Sequence, residues 1–135
     1  MAKILVGTDT SAAADLAVQA AAELARSQEA ELLVLQVRAN GSAHDVADPK
    51  KAPDPDRYLA QLSARFGDVQ VRSWSEPGEA AERLVDVATR ERVDTIVLGN
   101  RGTHGSWWRV RDSVPNIVLR HAPCSVLIVD TRSAQ

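Results

Sequence analysis

Five short runs suited to β-strands, separated by segments of helical period, constrain this chain more than any other feature. Ile4-Leu5-Val6 ends at Gly7, Leu32-Leu33-Val34-Leu35-Gln36-Val37 forms a second run, and Thr95-Ile96-Val97-Leu98 ends at Gly99. Ser125-Val126-Leu127-Ile128-Val129 is the last. Continuous apolar runs of this length suit strands buried on both faces of a parallel sheet. Val69-Gln70-Val71-Arg72-Ser73-Trp74 alternates instead and reads as a third strand nearer an edge. Between the runs, Ser11 is a good N-cap for a helix with Leu16, Ala17, Ala20, Leu24 and Ala25 inward. Asp56 to Arg65 reads as a short helix with Tyr58, Leu59, Leu62 and Phe66 on one side. Glu79 to Arg92 is a helix with Ala80, Leu84, Val87 and Ala88 inward, and a last helix runs from Ser113 to His121. Pro115 is tolerated in its first turn, and Pro123 stops it. Arg38 to Pro55, with three prolines and no apolar period, reads as a surface loop; Glu76-Pro77-Gly78 reads as a turn, and the tail from Thr131 is polar. The expected fold is α/β: one domain over residues 1–135, a doubly wound five-stranded parallel sheet with helices on both faces.

Composition narrows the function classes. A chain of 135 residues buries a real core. A net charge of −2 gives no electrostatic footprint for nucleic acid or an anionic membrane. Cys124 is the single cysteine, which excludes an intramolecular disulfide and a cysteine-based metal site. It implies a reducing, cytoplasmic setting. Beside Pro123 and a buried strand, its thiol reads as packed rather than reactive. The N-terminal run is too short for a signal peptide, and no apolar run approaches the roughly 20 residues of a membrane span. His44, His104 and His121 are scattered without metal-ligand spacing. No nucleophile–base pair or carboxylate dyad appears, so a binding protein is expected rather than an enzyme, with a slow hydrolysis left open.

Chemistry concentrates between Gly99 and Ser113. Gly99-Asn100-Arg101-Gly102 ends a strand, nine residues follow, and Asp112-Ser113 then opens a helix. A glycine turn at a strand end followed by a Ser-started helix is a way for α/β proteins to hold phosphate. In doubly wound sheets ligands bind beyond the carboxyl ends of the strands, so Asp9 and Gly99 share one rim. Asp9 on that rim either meets a ligand or caps the first helix. Arg101, Arg109 and Arg111 can supply phosphate-directed charge. Asp112 opposes this: a carboxylate about 4 Å from one phosphate charge costs on the order of 4 kcal/mol at an effective dielectric near 20. Trp107 and Trp108 in the same loop either anchor it or form a lid or partner surface.

The chain resembles the universal stress protein family over essentially its whole length. The resemblance rests on Lys3-Ile4-Leu5-Val6-Gly7-Thr8-Asp9-Thr10-Ser11 and on Ile96-Val97-Leu98-Gly99-Asn100-Arg101-Gly102. Its most specific part is Ser113-Val114-Pro115-Asn116 with His121-Ala122-Pro123-Cys124-Ser125-Val126-Leu127-Ile128-Val129. It implies strand order 3-2-1-4-5 and a homodimer paired through the last strand. In the ATP-binding branch the pattern is Gly, two residues, Gly, nine residues, then Gly and Ser or Thr. Gly99, Gly102 and Ser113 match; Asp112 stands where the third glycine belongs. Asp9 matches the acidic residue near ribose and phosphates, and Val37 matches the position whose backbone faces adenine. The implied nucleotide site comprises Asp9, Val37, Leu98, Gly99, Arg101, Gly102, Ser113 and Val114. Its expected ligand is an adenine nucleotide (ATP, AMP or cyclic AMP), with or without Mg²⁺, in a stress-related sensor or regulator. The alternative is a nucleotide-free interaction module of the same fold in which Asp112 fills the anion site.

Overall fold

The computed structural model describes residues 1–9, 11–38, 55–100 and 113–131. In chain order these form β1 (Lys3–Thr8), α1 (Ala12–Gln28), β2 (Glu31–Arg38), α2 (Pro55–Arg65) and β3 (Val71–Pro77). Then come α3 (Ala80–Glu91), β4 (Thr95–Gly99), α4 (Val114–His121) and β5 (Ser125–Val129). The strands build one parallel sheet in the order β3-β2-β1-β4-β5. Order and class are those expected from the sequence, and the alternating third strand is indeed an edge; β5, whose apolar run reads as a buried strand, is the other edge, half-buried to exposed.

Strand periodicity sorts the core into two layers. Ile4, Val6, Leu32, Val34 and Val97 face α1 and α2, where they meet Ala17, Val18, Ala21, Tyr58 and Leu62. Leu5, Leu33, Leu35, Ile96 and Leu98 face α3 and α4, where they meet Ala81, Leu84, Val87 and Val118. Full burial of a Leu side chain contributes roughly 1.5–3 kcal/mol, so the runs that define the strands also supply the core that holds them. Gly7 lets α3 close onto β1: a Cβ there would lie 3.2 Å from Leu84 Cδ2.

Three local expectations need correction. The third strand is Val71–Pro77, not Val69 to Trp74. Val69 is buried, but its amide donates to the Phe66 carbonyl at 2.9 Å and closes the end of α2. Ser75, Glu76 and Pro77 then continue the strand, and the chain turns only at Gly78. Proline is compatible with the end of an edge strand, which need not donate a ladder hydrogen bond on its open side. On α1 the innermost stripe is Ala17, Val18, Ala21, Ala22 and Ala25. Leu16, Ala20 and Leu24 are only half-buried, because the small residues take the line of closest approach and the leucines flank it. On α3, Ala81 is buried where Ala80 was expected; Ala80 sits at the helix start, facing the rim described next.

Candidate functional site

The first strand ends where the first helix begins, and local hydrogen bonds make that turn rigid. Asp9 is exposed, and its Oδ1 accepts from the Ser11 amide at 2.9 Å. Ser11 holds the extended backbone of an N-cap, and its Oγ accepts from the Ala14 amide at 3.1 Å. The Ser11 side chain therefore occupies one amide of the first turn of α1, that of Ala14. Ser11 is the cap, while Asp9 braces the turn that presents it and stands on the rim.

A cleft of about 160 Å³ opens beyond the carboxyl ends of β1, β2 and β4. Leu35, Val37, Leu84, Leu98 and Val114 give it an apolar floor, with Asp9, Thr8 and Ser11 on the polar side. Five residues predicted from the sequence meet here: Asp9, Val37, Leu98, Gly99 and Val114. Ser113 is adjacent and buried. It occupies the N-cap position of α4, where its carbonyl accepts from the Ile117 amide at 3.0 Å. Its hydroxyl makes no capping bond to the helix. Arg101, Gly102, Arg109, Arg111, Asp112, His104, Trp107 and Trp108 lie outside the described residues, as does His44.

Gly99 lines the cleft, and its backbone also lies close against the tail. A Cβ at Gly99 would lie 2.9 Å from Thr131 Cγ2. Thr131 is 1 % exposed despite the polar character of the tail. Its amide donates to Asn100 Oδ1 at 3.0 Å, while the Asn100 amide donates to the Val129 carbonyl at 2.8 Å. The glycine lines the cleft, but it is the seat of this clamp that leaves no room for a side chain.

Sequence reading missed Gly7, Thr8, Ala13, Ala14, Ala17, Leu35, Ala80 and Leu84 as lining residues. Those on α1 and β1 follow once the rim is located. Ala80 and Leu84 arrive only because α3 crosses from β3 back to β4 over the neighbouring strands. Electrostatically, Glu76 at the end of β3 is held below the usual carboxylate range, first by the Trp74 indole N–H at 2.7 Å and then by Arg90 at 2.8 Å. Cys124 packs against the α3 and α4 layer, and burial pushes its thiol up, in keeping with the packed reading. Among the described residues no group of three or more His, Cys, Asp and Glu side chains is placed to hold a metal ion, and no helix is long and apolar enough to cross a membrane.

Comparison with known proteins accords with this geometry. The universal stress protein Sll1654 of Synechocystis is 28 % identical over 131 residues, covering 93 % of this chain and 83 % of the relative. A universal stress protein solved in complex with cAMP superposes with a TM-score of 0.78 at 25 % identity, covering 96 % of this chain and 97 % of the other. A universal stress protein family protein of Arabidopsis thaliana, solved with AMP bound, shares the fold at a TM-score of 0.70 and 20 % identity, covering 96 % of this chain and 92 % of that one. The profile of the universal stress protein family matches residues 1–130. The chain therefore belongs to the universal stress protein family.

Proposed function

We propose that this protein binds an adenine nucleotide in the cleft at the carboxyl rim and acts as a small stress-related sensor or regulator. One observation carries the reading: the fold gathers Asp9, Val37, Leu98, Gly99 and Val114, distant in sequence, around one apolar-floored cleft. Such a floor suits a base, and the open strand-end backbone of Val37 suits its hydrogen-bonding edge. Asp9 beside it suits ribose hydroxyls. The relative solved with cAMP supports the same ligand class. Cations that could balance phosphate, Arg101, Arg109 and Arg111, belong to the segment between β4 and α4. No basic residue is among those lining the described cleft. Asp9 on the rim and Asp112 in the motif both oppose phosphate charge, which favours a nucleotide of low charge, AMP or cyclic AMP, over ATP without Mg²⁺.

The protein acts, in this reading, as a binding protein in the cytoplasm, without nucleic-acid or membrane partners, and as a homodimer through β5. The two sheet edges differ in a way that supports the last point. On β3, Arg72 joins Glu31 at 3.3 Å and Glu91 at 2.5 Å, and Glu76 joins Arg90, so charge discourages strand addition. On β5, Leu127 and Ile128 are 41 % and 37 % exposed, an apolar edge that a second copy would cover.

Isothermal titration with AMP, cyclic AMP and ATP, each with and without Mg²⁺, tests the reading. Saturable heat with at least one of the three is expected, weakened by Asp9→Ala. No heat from any of them at high micromolar protein would overturn it in favour of the nucleotide-free module. Phosphate release from ATP above background would move the protein among the enzymes.

A further inference from the structure

The cleft opens where β1 and β4 stop pairing. Ile4, Leu5 and Val6 pair with Thr95, Ile96 and Val97, and the β1–β4 ladder ends there. Leu98 and Gly99, both on the cleft wall, are therefore held from one side of the sheet only, by pairing with Ile128 and Val129 of β5. Gly99 has no side chain, so it meets a ligand through its backbone alone. Where that backbone stands is where the wall stands.

Asn100 extends the hold past the strand end. Its amide donates to the Val129 carbonyl at 2.8 Å. Its Oδ1 accepts from the Thr131 amide at 3.0 Å, and the Thr131 hydroxyl lies 3.4 Å from the same oxygen. Thr131 follows the end of β5 at Val129 and is nonetheless buried. A buried amide beyond the last strand needs an acceptor, and Asn100 supplies it. The Thr131 methyl fills the place of the missing Gly99 side chain, on the α1 face of β4 that Val97 also shares.

We propose that Asn100 is a positioning residue of the nucleotide site: by pinning Thr131 against Gly99, its side-chain carbonyl fixes the part of the cleft wall that Gly99 forms. This rests on the nucleotide reading given above. A clamp that only stabilises the fold lowers the unfolding midpoint and leaves the affinity of the folded protein alone. A positioning clamp changes the affinity as well. Linkage is reciprocal, so the factor that loss of the clamp costs in affinity must reappear as resistance of the clamp to opening when ligand is bound.

Asn100→Ala is expected to stay folded by circular dichroism and to bind AMP about 3- to 10-fold more weakly in calorimetry, the scale of one neutral hydrogen bond. In the wild-type protein, hydrogen exchange of the Thr131 amide, followed by ¹⁵N-resolved NMR, is expected to slow by a similar factor at saturating AMP. The amide of Val34, in the core of the sheet, reports global opening for comparison. Thr131 exchange that ignores AMP, or that slows as much as exchange at Val34, would overturn the role of Asn100. So would an AMP affinity in folded Asn100→Ala equal to that of wild type. If Asn100→Ala does not fold, the exchange measurement on the wild-type protein decides. These failures leave nucleotide binding standing, whereas absence of AMP heat in the wild-type protein would overturn the nucleotide reading and this role with it.

Discussion

Replacing Gly99 by alanine puts a methyl group where Thr131 already sits. The new Cβ would lie 2.9 Å from Thr131 Cγ2, 3.4 Å from its Oγ1 and 3.7 Å from its Cβ. Carbon atoms in favourable contact stand about 3.5–4.0 Å apart, so the shortest contact is short by about 0.6 Å or more. Thr131 has little freedom to yield. It is 1 % exposed, and its amide and hydroxyl both approach Asn100 Oδ1, at 3.0 and 3.4 Å. Rotating its side chain exchanges one crowded group for another and disturbs the Asn100 contact. Backing the segment away strains the β4–β5 register, where Gly99 pairs with Val129. Overpacking of this kind costs typically 1–3 kcal/mol.

With a urea m-value of about 2 kcal/mol/M for a domain of this size, a loss near 2 kcal/mol moves the midpoint down by about 1 M. Thr131→Ser removes the Cγ2 methyl that makes the clash. Alone it costs about 1 kcal/mol for the methyl-sized cavity. Combined with Gly99→Ala it should recover most of the loss, giving a favourable coupling of about 1 kcal/mol or more. Urea unfolding of all four proteins at one fixed concentration, followed by circular dichroism, measures this. If Gly99→Ala stays within about 0.5 kcal/mol of wild type, or if the two substitutions simply add, the clash with Thr131 is not what keeps this position glycine.

Other perturbations separate the remaining claims. Asp112→Gly removes a carboxylate from the predicted phosphate cradle and should tighten ATP binding in calorimetry; equal or weaker binding would count against the charge reasoning. Ile128→Lys places a cation on the exposed edge of β5 and should halve the mass seen by light scattering; a persistent dimer would point to another interface. Glu76 is held below its usual range by Trp74, Arg90 and Arg83, and Glu91 by Arg72 and Lys3, burial opposing in both. Their folded values lie below the unfolded ones, so the stability they contribute is present above the ordinary glutamate range, about pH 4.3, and is lost as pH falls through the folded values. Urea midpoints should therefore drop below that pH, and less steeply in Glu76→Gln; a flat profile down to pH 3.5 would refute the assignment.

The strands buried on both faces were the most legible in the sequence, because a continuous apolar run has one reading once helices flank it. Ile4 to Val6, Leu32 to Val37 and Thr95 to Leu98 all lie within the strands observed. The third strand slipped because its alternation is satisfied by two different sets of contacts. Val69 is apolar for the sake of α2, not of the sheet, and Glu76 belongs to a strand only because α3 brings Arg90 and Arg83 against it. Helix faces built from alanine blur in the same way: on α1 the stripe shifted by one residue because size, not hydrophobicity, decides which residue comes nearest the sheet. At the site, Asp9, Val37, Leu98 and Gly99 were found at or just past strand ends, while Gly7, Thr8 and Leu35 beside them and Ala80 and Leu84 on α3 were not. Local pattern locates a strand end; the approach of Ala80 and Leu84 depends on where the chain crosses. The buried clamp between Thr131 and Asn100 had no signal in a polar tail.

Charge decides which nucleotide such a cleft prefers, and the two helix starts on the rim are unequal. At α1, Asp9 and Ser11 already accept from the amides of Ser11 and Ala14, and the Asp9 carboxylate repels a second anion. At α4, Ser113 makes no side-chain cap, and Pro115 in the first turn has no amide to offer. In the nucleotide reading proposed above, repulsion by Asp9 at α1 turns the phosphate toward α4, with the base toward Val37 and the ribose beside Asp9. The dipole of a helix start contributes about 0.3–1 kcal/mol per anion near the surface. One carboxylate at about 4 Å costs roughly 4 kcal/mol at an effective dielectric near 20. A helix start alone does not offset a carboxylate at such a distance even for one phosphate charge, and each further charge adds to the deficit. Arg101, Arg109 and Arg111 can balance one or two charges, whereas a triphosphate needs a divalent cation as well. It follows that Mg²⁺ should raise the affinity for ATP far more than that for AMP, and that Asp112→Gly should narrow the gap between the two nucleotides when Mg²⁺ is absent.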